Sequence, residues 1–72
     1  MGERKHMYYG APLERGVIAE AAEGGYIVES LDRRGIRTLP LPGFPGSAFS
    51  EGEEVYFFVY TDGTGLVLCS RS

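Results

Sequence analysis

Short runs rich in valine, isoleucine, leucine, tyrosine and phenylalanine recur along this chain, and the clearest lies between residues 53 and 61. Successive side chains of a β-strand point to opposite faces, so residues two apart share a face. In this segment both faces are apolar, one with Val55, Phe57 and Val59 and the other with Tyr56, Phe58 and Tyr60. The pattern predicts a strand buried on one side and carrying an aromatic row on the other.

Four further strands are predicted from short apolar runs that lie between glycine and proline turn signals. They cover residues 15–22, 26–31, 35–41 and 66–70. The segment 15–23 is rich in alanine and leaves a helix open as the alternative, although it is short and ends at a glycine pair. Residues 40–46 contain three prolines and break regular pairing, because proline has no N–H to donate.

Five short strands predict an all-β fold, since closing them into a barrel removes the unpaired edges that an open sheet would expose. We expect a small five-stranded barrel of the OB-fold type, with an SH3-like barrel as the alternative. The OB arrangement is preferred because the interruption after the third strand falls where OB folds often carry a helix. Here a loop rich in proline and glycine replaces that helix. The expected organisation is a tail over 1–14 and one domain over 15–72.

The outward aromatic row of the strand predicted over residues 53–61 has two interpretations. It forms a second small core if Met7–Tyr9, or the stretch with Phe44 and Phe49, covers it. If it is uncovered, the row is a platform for a ligand, because exposed aromatic rows on a sheet mark binding or aggregation sites.

The net charge and the cysteine content exclude several classes of protein. The chain has 72 residues and a net charge of −3, which argues against coating DNA or an anionic membrane by bulk charge. A single cysteine excludes an internal disulfide and suits a reducing compartment. No apolar run is long enough to span a membrane, and no signal peptide is visible. A cytoplasmic protein without membrane association is therefore expected.

The residues that support catalysis are scarce, so we expect no enzyme, no cofactor and no metal site. The single histidine, His6, lies in the charged N-terminal tail, far along the chain from the single cysteine. Cys69 is expected to be a small packed strand residue. The acidic group Glu51, Glu53 and Glu54 is read as solvated charge at a turn.

Two features are candidates for binding. Arg33, Arg34 and Arg37, with Arg71, form a local positive patch suited to nucleic-acid phosphates or an acidic partner. Tyr26 lies on the second predicted strand beside this patch, where an aromatic ring can stack on a single-stranded base. Together they favour RNA or single-stranded nucleic acid as the ligand. The alternative is that these arginines are solvated turn residues and that the rings pack internally.

Short motifs resemble the S-one-type OB domain, the barrel repeated in the largest ribosomal small-subunit protein. They are Gly16-Val17-Ile18, Gly25-Tyr26-Ile27-Val28 and Glu51-Gly52-Glu53-Glu54-Val55. Leu39-Pro40 and Phe58-Val59-Tyr60-Thr61-Asp62 are most similar to the conserved virulence factor B family, whose domains are RNA-associated. The resemblance implies RNA binding on the face of the second and third strands, with Tyr26 as the stacking aromatic and Arg37 and Arg71 as basic contacts.

A second resemblance is to the OB domain of phage baseplate-spike assembly proteins. It rests on Gly16-Val17-Ile18, Thr38-Leu39-Pro40, Gly52-Glu53-Glu54-Val55 and Gly65-Leu66-Val67-Leu68. This resemblance implies a structural assembly module. Such a module would contact a protein partner, or a second copy of itself, through Tyr56, Phe58 and Tyr60. Fold alone does not choose between these functions, because OB barrels have many unrelated roles.

Overall fold

A computed structural model describes residues 12–71, which form an all-β domain. Its four strands are β1 (Glu14–Ala22), β2 (Gly25–Ser30), β3 (Glu54–Val59) and β4 (Gly65–Ser70). They make one sheet in the order β2-β1-β3-β4, and every neighbouring pair is antiparallel. Four of the five predicted strands are confirmed within two residues at each end. The helical alternative for 15–23 is wrong, because this segment is β1.

The central strand β1 holds the sheet together by pairing on both of its sides. It pairs with β3 through residues 14–17 and with β2 through residues 16–22, with a bulge between Ile18 and Glu20. Gly16 lies where the two pairings overlap. A Cβ at this position would lie 2.4 Å from Val28 Cγ1 and 2.7 Å from Phe57 Cε1. The missing side chain therefore leaves the room that these two core residues occupy.

The core lies on one face of the sheet and contains the predicted inward residues of β3. Val55 and Phe57 have no exposed surface, and Val59 packs against the cluster. The remaining buried apolar side chains are Ile18, Val28, Leu41, Phe49 and Val67. Phe49 is thus a core residue and does not cover the outward row, whereas Phe44 is 50% exposed. The other predicted cover, Met7–Tyr9, lies outside the described residues, as does most of the predicted tail.

Residues 35–41, predicted as the third strand, do not form a regular strand. The regular strands of the described residues make a four-stranded sheet, and the predicted five-stranded closed barrel is not confirmed. Isolated bridges join Arg37 to Glu29 and Leu41 to Tyr26. Between them the ladder is irregular: the Thr38 N–H donates to the Val28 carbonyl at 2.9 Å, while the Val28 N–H donates to Thr38 Oγ1 at 3.0 Å. Pro40 and Pro42 lack the N–H groups that a continuous ladder needs.

Residues 36–44, which we name the connecting segment, nevertheless contact both edges of the sheet. On the β2 edge, Tyr26 and Leu41 exchange two backbone hydrogen bonds of 2.8 Å. On the β4 edge, Gly43 bridges Val67 in parallel. There the Phe44 N–H donates to the Val67 carbonyl at 2.8 Å, and the Val67 N–H donates to the Pro42 carbonyl at 2.9 Å. The connecting segment therefore runs from one edge strand to the other.

Candidate interaction surface

The turn after β2 is fixed to the start of β1 by two crossed ion pairs. Glu14 is 7% exposed and accepts hydrogen bonds from Arg33 Nε at 3.1 Å, Arg33 Nη2 at 2.9 Å and Ser30 Oγ at 3.2 Å. Beside it, Asp32 accepts from the Arg15 amide at 2.8 Å and from Arg15 Nη2 at 2.7 Å. These Arg15 hydrogen bonds hold the pKa of Asp32 below its usual value. Arg33 is thus part of a structural network.

The other arginines proposed for phosphate binding also face carboxylates. Arg37 pairs with Glu29 at 3.4 Å, and Arg71 Nη1 donates to Glu54 at 2.6 Å. The hydrogen bonds that Arg71 donates to Glu54 and to Tyr56 raise the pKa of Arg71. Among residues 12–71, Arg34 is the arginine without an ion-pair partner. The predicted positive patch is therefore largely neutralised by carboxylates of the same domain.

Tyr26 packs against the core from the start of β2. Its ring meets Phe49 edge-on, with centroids 5.4 Å apart, and its hydroxyl accepts the Phe49 N–H at 3.2 Å. Its backbone is bonded to Leu41 in the connecting segment. The ring is half-buried and held on two sides, so a base could reach only its remaining exposed part.

The outward face of β3 carries the aromatic row that the alternation predicted. Tyr56 and Phe58 are half-buried, Tyr60 is 42% exposed, and none of the three belongs to the core cluster. Phe58 and Tyr60 meet edge-on at 5.3 Å. Across the strands, Leu66 lies opposite Phe58. We name this surface, made of Tyr56, Phe58, Tyr60 and Leu66, the outward face.

Two residues lie opposite Tyr56 on the neighbouring strands, and the environment of one of them was predicted wrongly. Cys69 lies directly opposite Tyr56 on β4 and is exposed, although a packed position was expected for it. Arg15 lies opposite Tyr56 on β1, so the aromatic row is bordered by a charge that the sequence analysis did not single out. Cys69 and Arg15 lie on the outward side because the strand register pairs both of them with Tyr56. The pattern within one short segment does not reveal which residues of the neighbouring strands lie opposite it.

A shallow groove lies where three segments distant in sequence meet, namely the β1–β2 turn, the connecting segment and the β3–β4 turn. It has a volume of about 550 Å³ and is lined by Gly24, Leu39, Pro40, Pro42 and the β3–β4 turn residues Asp62, Gly63, Thr64 and Gly65. Leu39 is 63% exposed, which makes it the most exposed large apolar side chain in the described residues. Asp62 is the charged residue of the lining. We name this site the turn groove. From the sequence its parts were predicted as turns and as the end of the strand 35–41, and the site itself was missed.

Two further observations concern the described part of the chain. Within residues 12–71, no group of three or more histidine, cysteine, aspartate or glutamate side chains is arranged to hold a metal ion. That part also contains no helix with the length and apolar character of a membrane span.

Comparison of the chain with protein-family models, with curated proteins and with solved structures finds no match. A functional proposal for this protein therefore depends on the chemistry of its own surface. The surfaces to compare are the paired arginines beside Tyr26, the outward face and the turn groove.

Proposed function

We propose that this chain is a small, non-enzymatic OB-like barrel that acts as a protein-interaction or assembly module through its outward face. The barrel is supported by the two sets of backbone hydrogen bonds that the connecting segment makes, with β2 and with β4. The OB arrangement is supported by β1, which lies between β2 and β3 in the sheet. In an OB barrel the first of five strands pairs with the second and the fourth. If the connecting segment is counted as the third strand, β3 becomes the fourth, and β1 pairs with both of these strands.

The observation that carries the functional proposal is the position of the aromatic row relative to the core. Seven of the residues that the structure describes form the core cluster, and the row on the opposite side of β3 is not among them. Tyrosine is enriched among the residues that dominate protein interfaces, because one ring supplies a large apolar area together with a hydrogen-bonding hydroxyl. A partly exposed aromatic row outside the core favours a partner surface.

The charges around the outward face favour a protein partner over a phosphate backbone. Arg15 and Arg71 both approach Tyr56, but each already pairs with a carboxylate, Asp32 and Glu54 respectively. A phosphate would have to displace these carboxylates to reach the guanidinium groups. A mixed border of neutral ion pairs around apolar rings is instead typical of the polar rim of a protein interface.

Self-association is the expected behaviour when no other partner is present. We expect static light scattering to give a mass that rises with concentration above that of the 7.9 kDa monomer. Tyr60→Ser should weaken this association about tenfold or more, since an interface tyrosine often contributes over about 1.4 kcal/mol. The free energy of unfolding of this variant should fall by no more than about 1 kcal/mol, because the ring lies outside the core and its loss removes the edge-on contact with Phe58.

Phe44→Ser is the matched control for this experiment. Phe44 is 50% exposed but belongs to the connecting segment, so its loss should leave the association unchanged. Monomers at every concentration, combined with a clear loss of stability in Tyr60→Ser, would mean that the ring has a structural role and would contradict the proposal.

Binding of single-stranded nucleic acid is the second candidate function. It is favoured by Arg34, which is exposed and has no ion-pair partner among residues 12–71, and by the exposed side chains of Arg33 on the same turn and of Arg37 in the connecting segment. In this arrangement Tyr26 would offer the exposed part of its ring to a base, and Arg71 would add a basic contact. The ligand would have to compete with Glu14, Glu29 and Glu54 for three of the arginines.

A titration with labelled single-stranded RNA at low salt tests this candidate. If it binds, amide NMR signals between Tyr26 and Arg37 should shift, and Arg34→Gln should weaken binding more than replacement of a paired arginine. Binding should also weaken steeply as salt is added, because phosphate contacts release counterions. If no amide between these two residues responds, the nucleic-acid function is excluded.

A further inference from the structure

The turn groove has the chemistry of a binding site, and it is separate from the outward face. Leu39, Pro40 and Pro42 supply apolar walls, and Asp62 supplies one charge. None of Tyr56, Phe58 and Tyr60 lines it. Its volume of about 550 Å³ lies within the range of sites that hold small ligands, roughly 300–1,000 Å³.

The carboxylate of Asp62, the charged residue of the turn groove, is held in its ionised form. Asp62 Oδ1 accepts hydrogen bonds from the Thr64 amide at 2.9 Å and from the Thr64 hydroxyl at 2.7 Å. These bonds hold the pKa of Asp62 below its usual value. None of the arginines between residues 12 and 71 lines the groove, so no cation of that part of the chain neutralises this carboxylate there. The free carboxylate repels phosphates and attracts a cation.

We propose that the turn groove binds a segment of a partner protein that carries apolar side chains next to a lysine or arginine. The apolar side chains contact Leu39, Pro40 and Pro42, and the cation pairs with Asp62. A peptide segment fits because one wall is the connecting segment, whose Pro40 and Pro42 carry no N–H groups and so present apolar surface to the occupant. The occupant therefore gains affinity from apolar contacts and from the ion pair.

Three blocked hexapeptides test this proposal. They share the same leucine and proline residues and differ in one central residue, which is lysine, glutamine or glutamate. Titrated into the full chain with isotope-labelled amides, the lysine peptide should shift the signals of Leu39, Leu41 and residues 62–65. It should bind about two- to fivefold more tightly than the glutamine peptide, the range expected for one exposed ion pair. The glutamate peptide should bind most weakly.

Two variants make the result specific to the groove. Leu39→Ser should weaken the lysine peptide about tenfold, whereas Leu13→Ser, at a position that is 59% exposed but outside the groove, should not. Asp62→Asn should abolish the preference for lysine and leave the glutamine peptide unaffected. This variant decides the question if Leu39→Ser fails to fold.

The proposal is overturned if the three peptides bind equally, or if none of them shifts the groove amides. It is also overturned if single-stranded RNA shifts these amides and the lysine peptide does not. Because the readout is the set of amides around the groove, failure here is distinguishable from loss of self-association through the outward face.

Discussion

Replacing Phe57 with alanine is expected to lower the free energy of unfolding by about 3–5 kcal/mol, the usual cost of removing a large buried aromatic side chain. Phe57 has no exposed surface and is the largest of the fully buried residues. Its ring fills the space next to Gly16, where no side chain is present to expand into the cavity. For a domain of this size such a loss is a large part of the total stability. Chemical denaturation followed by circular dichroism measures it.

Phe58→Ala is the matched control, because the two phenylalanines are adjacent on β3 and point to opposite faces. Phe58 is half-buried and lies outside the core cluster. We expect its replacement to cost less than about half of the Phe57 effect, since less apolar surface is returned to water. Equal losses in the two variants would show that the outward face is a second core, and would contradict its role as an interaction surface.

Gly25→Ala is expected to lower the free energy of unfolding by about 3 kcal/mol or more, because it combines backbone strain with a steric clash. Gly25 has a φ angle of +127°, which L-residues rarely adopt. A Cβ there would lie 2.4 Å from the carbonyl oxygen of Leu41. That oxygen accepts the Tyr26 N–H, so the substitution pushes the connecting segment away from β2. Thermal and chemical unfolding measure the loss.

Gly46→Ala separates strain from clash in this comparison. Gly46 also has a positive φ angle, +88°, but nothing lies within 4 Å of a Cβ built on it. Its replacement should therefore cost only about 1–2 kcal/mol, from the strain of the left-handed backbone. If both alanine variants lose the same stability, the connecting segment does not approach β2 as closely as described.

The strands were predictable from sequence because their signals are local. Alternation in 53–61 identified β3 and separated Phe57 from Phe58 correctly, and the glycine turns bounded the remaining strands. The segment around Arg37 to Leu41 was not predictable in the same way. It alternates like a strand, but Pro40 and Pro42 remove donors, so only isolated bridges form.

The candidate sites also differ in whether their signal is local in the sequence. The three aromatic residues of the outward face follow directly from the two-residue period of residues 53–61 and were predicted one by one, whereas Leu66 of β4 was not. The pairing of Arg33 with Glu14 joins residues 19 positions apart, and no local pattern indicates it. The turn groove brings together Gly24, Leu39 and Asp62, which only the tertiary structure makes neighbours. Sequence reasoning therefore identified the positive residues but could not show that most of them are neutralised.

A map of nuclear Overhauser contacts on the isotope-labelled chain tests the arrangement on which both proposed surfaces depend. The connecting segment should give contacts to both sheet edges, between Leu41 and Tyr26 and between Gly43 and Val67. The ring of Tyr60 should give none to the methyl groups of Ile18 and Val28 in the core. Contacts from the connecting segment to only one edge, or contacts of Tyr60 with those methyl groups, would contradict the structure and the functions inferred from it.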